Sequence, residues 1–336
     1  MKQGVLLTRP SVCLVPSTLP AAFIKANAQR LNIRTVYVLG NNLYGSYQKA
    51  FEDQQEIQIK QLPATTLLRL LKFACVLIGL KLTGKQLVFF HECCLPTLDV
   101  LIYFFRPHGL FVPHVKMDSW QQIPAAQFPK SSTFTLLQRL GLLGLFDLRT
   151  SPPVGELPRE YAMVMRRYPS QIQQEEHQIV CDQRYSQTGL NSKNVLLLLG
   201  KSCCSDSQQI MLMNQIVEIG LPLGYRFYVK NHPNPLYRVE FQHSSVSEID
   251  PLLPSEFIQQ TFQLVIGVSS TGLLNYGARA ISLVHLLNMS ADDLNFCLQH
   301  YELTQPGHSI QFPQDWASLK QLIVTIVNTG LNLSAA

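Results

Sequence analysis

The feature that most constrains this chain is a set of short, unbroken apolar runs. They are VLL near the start, TVYVLG at 35–40, QLVFFH at 86–91, NVLLLLG at 194–200, YRFYVKNHP at 225–233 and FQLVIGVSS at 262–270. A strand with one face in water alternates apolar and polar residues, whereas a run without alternation must be covered on both faces, as in a parallel sheet flanked by helices. Amphipathic candidates lie between the runs, PAAFIKANAQRLN at 20–32 and SQQIMLMNQIVEIG at 207–220, so strand and helix alternate and the fold class is α/β. A polar, Pro-containing stretch at 151–193 interrupts the alternation, which then resumes. With 336 residues, the expectation is two Rossmann-like domains: 1–150 and 194–330, joined by the connection 151–193. They would face a central cleft, with ligands at the carboxyl ends of the strands. A closing helix at 315–330 would end on Gly330 as its C-cap.

Composition removes several function classes. At 46% hydrophobic and 15% charged residues, the chain is too apolar to stay disordered. The net charge of +5 favours anionic partners, but there is no Lys/Arg run and aromatics do not interleave with basic residues. An enzyme acting on phosphorylated small molecules therefore fits better than a reader of nucleic acid. Eight cysteines are too dilute for a disulfide scaffold, and the adjacent pairs Cys93-Cys94 and Cys203-Cys204 lack the spacing that lets two sulfurs converge on zinc. The segment 106–118 reads as a loop carrying His108, His114 and Lys116, and no third ligand joins its histidines. No metal site is expected. The N-terminus lacks the long apolar core of an export signal, which points to a cytoplasmic protein. The most apolar stretch, 67–85, is cut by Arg69, Lys72 and Lys81 and is too interrupted to cross a bilayer. It and 135–149 read as two core-facing helices with snorkelling basic residues, the alternative being peripheral contact with anionic headgroups of the inner membrane.

Three polar stations in the second half each follow an apolar run. The first is LGKSCCSDSQQI, with Asp206 just before a helix; helix capping is the competing reading. The second is YVKNHPNP, with Lys230, His232 and Pro233 at a strand end, where a plain turn is the alternative. The third is GVSSTG, where Ser269, Ser270 and Thr271 open a helix and Gly272 allows close backbone approach. Hydroxyls and unpaired N–H groups at such an opening suit a phosphate. Neither a dinucleotide glycine fingerprint nor a Walker loop is present. In the first half, His91 and Glu92 follow an apolar run and are candidates for the acceptor side, or for a base.

Asp206, then Lys230-Asn231-His232-Pro233, then Ser269-Ser270-Thr271 resembles the ordered motifs of bacterial GT-B sialyltransferases, including the lipooligosaccharide and capsular polysialyltransferase groups. The His-Pro and Ser-Ser motifs are intact. The acidic-acidic-Gly motif keeps Asp206 but has Ser205 and Ser207 for its acidic neighbour and glycine, and Pro254-Ser255-Glu256 is similar to the Pro-x-Glu element. The resemblance covers roughly 194–290. It implies an inverting, metal-independent transferase that moves sialic acid or a related nonulosonic acid from a CMP-sugar to a glycan in bacterial surface-polysaccharide synthesis. In it Asp206 is base, His232 and the Ser269–Ser270 hydroxyls stabilise the departing phosphate, Lys230 adds field there, and Glu256 takes the ribose hydroxyls. The alternatives are a CMP-Kdo transferase, a nucleotide-sugar 2-epimerase, in which a Gly-Gly-x-x-Glu-Glu type loop stands where this chain has Ser269-Ser270-Thr271-Gly272, and a catalytically inactive glycan- or nucleotide-binding relative.

Overall fold

A computed structural model describes residues 7–18, 20–91, 96–113, 120–127, 131–174, 193–258, 262–305 and 307–329. The chain divides into two compact units, Met1–Pro152 with Arg159–Ile179 and Pro153–Pro158 with Val180–Ala336.

The first unit begins with β1 (Ser11–Val15), α1 (Pro20–Asn27), β2 (Ile33–Leu39), α2 (Asn41–Ala50), β3 (Gln58–Leu62), α3 (Thr66–Thr83), β4 (Gln86–His91), α4 (Pro96–Phe105) and β5 (Gly109–Pro113). It continues through β6 (Gln121–Gln122), α5 (Ser132–Arg139), β7 (Phe146–Thr150), β8 (Tyr161–Met165) and β9 (Ile172–Gln174). Its main sheet has the order β3-β2-β1-β4-β5-β9 with every pairing parallel, and β6-β7-β8 form a small antiparallel sheet. The apolar runs supply both faces. Val12, Leu14, Leu87 and Phe89 meet Phe73, Leu77 and Leu80 of α3 and Leu98 and Ile102 of α4. Their neighbours Cys13, Val15, Val88 and Phe90 point the other way, where Phe23 of α1 sits edge-on to Phe90 at 5.8 Å.

The second unit contains β10 (Asn194–Leu198), α6 (Asp206–Gly220), β11 (Arg226–Lys230), β12 (Val246–Ile249), β13 (Leu264–Gly267), β14 (Ala280–Ser282), α7 (Ala291–Thr304) and α8 (Trp316–Thr329). Its sheet is parallel throughout, in the order β12-β11-β10-β13-β14. Val195, Leu197, Leu264 and Ile266 pack on Leu212, Met213, Ile216 and Val217 of α6 and on Leu319 and Ile323 of α8. Leu196, Leu198 and Val265 face a second cluster with Phe262, Leu273 and Tyr301. Both units thus start in the middle of their sheet, step outward one way, then return to the other side. That is the doubly wound, Rossmann-like plan, with the order reversing between β1 and β4 and again between β10 and β13.

Several expectations change. Val5 and Leu6 of the opening VLL lie outside the described residues, and the first strand is Ser11–Val15. The 106–118 loop contains β5 instead, because Leu110 and Val112 are fully buried between β4 and β9. Gly109 is essential there: a Cβ would sit 2.4 Å from the Leu87 carbonyl oxygen. The 135–149 stretch is not one helix but the end of α5, a 3-10 turn at Leu143–Leu145, and most of β7. The connection 151–193 holds β8 and β9, which pair with first-unit strands, while Pro153–Pro158 packs with the second unit through Val154. Gly330 lies outside the described residues.

Candidate active site

The register of the second sheet levels three strand ends. Leu198 on β10 pairs with Lys230 on β11 and with Gly267 on β13, so Gly200, His232 and Ser269 all stand two residues beyond that line. β10 lies between the other two strands, at the reversal point where open α/β sheets bind ligands.

The loop after β10 touches both neighbours. Gly200 abuts His232 so closely that a Cβ there would meet the His232 Cβ at 3.1 Å. Further on, Ser202 Oγ and Ser269 Oγ share a hydrogen bond of 2.9 Å, and the buried Cys203 N–H donates to Ser269 Oγ at 3.2 Å. Gln209, buried on α6, closes the loop by donating to the Gly200 carbonyl at 2.9 Å. The Cys203 thiol is shifted down by its hydrogen bond with Cys297, which is shifted up in turn; both are free thiols.

His232 is fixed on three sides. Its Nδ1 accepts the Asn234 N–H at 3.0 Å, so the neutral ring carries its proton on Nε2 as a donor. Tyr237 sits edge-on at 5.2 Å between ring centroids, and Lys201 Nζ lies 5.4 Å from the centre of that ring. Arg238 donates to the carbonyls of His232 and Pro233, which pins the His-Pro turn. Burial first, and then the Lys230 charge, lower the His232 pKa, favouring the neutral ring.

Lys230 and Glu256 lie deeper. Lys230 Nζ is buried and donates to the carbonyls of Asn231 and Pro251 at 3.2 and 3.3 Å. Glu256 is buried and accepts from Asn275 Nδ2 at 3.2 Å, with its pKa raised by burial. The two charges feel one another, although no direct ion pair joins them among the described residues.

The third station differs from expectation. Thr271–Arg279 is a 3-10 segment broken at Gly277, whose φ of 57° and ψ of −132° suit only glycine, where the chain turns into β14. A long aligned dipole is therefore missing, and any pull on an anion must come from single N–H and O–H groups. Ser270 Oγ caps this segment by accepting the Gly272 N–H at 3.2 Å, and the Ser270 carbonyl accepts from Tyr301 at 3.3 Å. Thr271 Oγ1 is 3.5 Å from His300 Nε2. Gly272 is enclosed by Ser255, Ser270 and Leu198, so its small size serves internal packing.

Asp206 is exposed on the first turn of α6. The cap is Ser205, which forms a full capping box with Gln208 and also bonds Ser207 Oγ at 3.0 Å; this explains the two serines flanking Asp206. No hydrogen bond among the described residues joins Asp206 to His232, Ser269 or Ser270. His91 ends β4 of the other unit, and Glu92 lies outside the described residues. Gly200, Lys201, Ser202, Gln209 and Tyr237 were not singled out from sequence. The available signal was Gly-Lys-Ser directly after an apolar run. Among the described residues no group of three or more His, Cys, Asp or Glu side chains could hold a metal ion.

No family model matches the chain, and no curated protein matches it. Solved structures similar to it include one from Listeria monocytogenes described as a UDP-N-acetylglucosamine 2-epimerase, at 9% identity and TM-score 0.47, over 96% of this chain and 89% of that one. Another is UGT2 of Phytolacca americana with UDP-2-fluoro-glucose and pterostilbene, at 11% identity and TM-score 0.44, over 96% and 90%. A third is the glycosyltransferase SnogD from Streptomyces nogalater, at 12% identity and TM-score 0.40, over 96% and 95%.

Proposed function

We propose that the chain is an inverting, metal-independent glycosyltransferase whose donor is a CMP-activated sialic acid or related nonulosonic acid and whose acceptor is a glycan of bacterial surface-polysaccharide synthesis. The observation that carries the reading is the levelling of Gly200, His232 and Ser269 at the reversal point of the second sheet, with Ser202 and Ser269 joined across it. In this reading the protein's own donors suffice without a cation, because a leaving CMP carries less charge than a leaving nucleoside diphosphate.

In this reading an acceptor hydroxyl attacks the anomeric carbon as the bond to the CMP phosphate breaks, and the electron pair leaves with the phosphate. Asp206 takes the hydroxyl proton. His232 Nε2–H and the Ser269 and Ser270 hydroxyls donate to phosphate oxygens as their charge grows, which lowers the barrier rather than merely tightening binding. The buried Glu256 takes the ribose hydroxyls, and the buried Lys230 adds its positive field at the phosphate. His91 and Glu92 remain acceptor-side candidates. The protein works at the cytoplasmic side.

The test is CMP titration by calorimetry, followed by transfer from a panel of CMP-sugars with product analysis. CMP binding with transfer from CMP-sialic acid, lost in Asp206→Ala, is expected. Transfer only from CMP-Kdo would move the reading to that donor, CMP binding without transfer to an inactive relative, and turnover of UDP-N-acetylglucosamine without CMP binding to an epimerase.

A further inference from the structure

Helix α3 has two apolar faces and only one of them is covered. Phe73, Leu77 and Leu80 enter the core, whereas Leu67, Leu71, Cys75, Ile78 and Leu82 recur at steps of four, four, three and four residues along the opposite side. That stripe is open: Leu67 is 69% exposed, Leu71 56%, Ile78 44% and Leu82 82%. It extends about 22 Å at the helical rise. Leu68 widens it at one end, and α4, which packs against α3, also exposes Phe104. Single exposed leucines are ordinary; a continuous row of them is not.

The charges around the row identify its occupant. α3 has no acidic residue. Lys72 follows Leu71 by one position and Lys81 precedes Leu82 by one, which sets the two exposed lysines about 100° to either side of the stripe. Apolar side chains flanked by lysines on both edges match an interface in which leucines enter the acyl boundary and ammonium groups rise to anionic headgroups. A second copy of the chain fits less well. A two-fold pairing of this face with itself would bring lysine flanks against lysine flanks. Among the described residues no helix is long and apolar enough to cross a membrane, which agrees with a helix lying in the surface plane.

We propose that the outward face of α3, with Phe104 of α4, docks on an anionic phospholipid surface. This face belongs to the first unit, and the proposal stands without the donor assignment, which rests on the second.

Co-sedimentation tests it, with vesicles of phosphatidylcholine alone and vesicles containing about one third phosphatidylglycerol. The full chain is expected to pellet with the anionic vesicles and bind neutral ones at least about tenfold more weakly, with binding falling as salt rises. Lys72→Gln and Lys81→Gln should each weaken binding about fivefold, and the Leu71→Glu/Leu82→Glu pair should abolish it. Far-UV circular dichroism and CMP affinity should not change, since these side chains touch no core. Wild-type protein that stays in the supernatant with anionic vesicles, or variants that pellet like wild type, would overturn the proposal. So would a wild-type dimer that Leu71→Glu/Leu82→Glu turns into a monomer, which would assign the face to self-association.

Discussion

Ser269→Ala gives a sharp test of the site's construction. The hydroxyl is the acceptor for the Cys203 N–H and the partner of Ser202 Oγ, and Cys203 is 3% exposed. Removing it leaves a buried amide hydrogen that water cannot reach, a loss of about 1–3 kcal/mol, and the broken Ser202 contact places the expectation near 2 kcal/mol. Ser270→Ala is the internal reference. It removes only the cap on the Gly272 N–H and should cost about 1 kcal/mol. The chain has two tryptophans, one in each unit, so a Trp120→Phe background leaves Trp316 of α8 to report on the second unit in urea. The midpoint should fall without a change in slope. A cycle with Ser202→Ala should show coupling of at least about 0.5 kcal/mol, because the two hydroxyls share one bond. A loss below about 0.5 kcal/mol for Ser269→Ala, or additive single effects, would refute the idea that Ser269 locks the β10 loop to β13.

Four further outcomes follow from the geometry. His232→Ala should lower turnover by about 10²-fold or more, measured as kcat in the transfer assay, while His232→Gln, which keeps a donor, should lose less. The His232 pKa in the folded protein lies below its unfolded value, so its contribution to stability is whole above the unfolded pKa and lost as pH falls through the folded one. The drop in urea midpoint from pH 7.5 to pH 5 should therefore be smaller in His232→Gln. Glu256 has the opposite sign: its folded pKa is raised, so stability fades as pH rises above its unfolded pKa, and Glu256→Gln should be at least as stable as wild type at pH 8 while binding CMP more weakly. Gly109→Ala should cost about 2–3 kcal/mol by thermal unfolding, since its Cβ would strike the Leu87 carbonyl and force β4 and β5 apart.

The strands that sequence exposed were those with long apolar stretches: 86–91 became β4 with the same ends, and 194–200, 225–233 and 262–270 contain β10, β11 and β13. β12, with its VSEI pattern, was missed because an edge strand half in water carries few apolar residues, and β14 because a strand of three residues, although fully buried, is too short to stand out as an apolar run. β5 was hidden behind Pro, His and Gly. Its strand character depends on what lies beside it, and local residues cannot report that.

Local chemistry determined the alternation of elements, the α6 capping residues and the placement of three polar stations just past apolar runs, since each depends on neighbours within a turn or a strand. Only the tertiary structure decided that Ser202 is the bridge to Ser269, that Lys230 and Glu256 are interior, and that one apolar face of α3 is uncovered. Those facts arise from which strands become adjacent and which helix side meets the sheet. Contacts of 67 residues' separation, such as Ser202 with Ser269, leave no periodic trace in the chain that makes them.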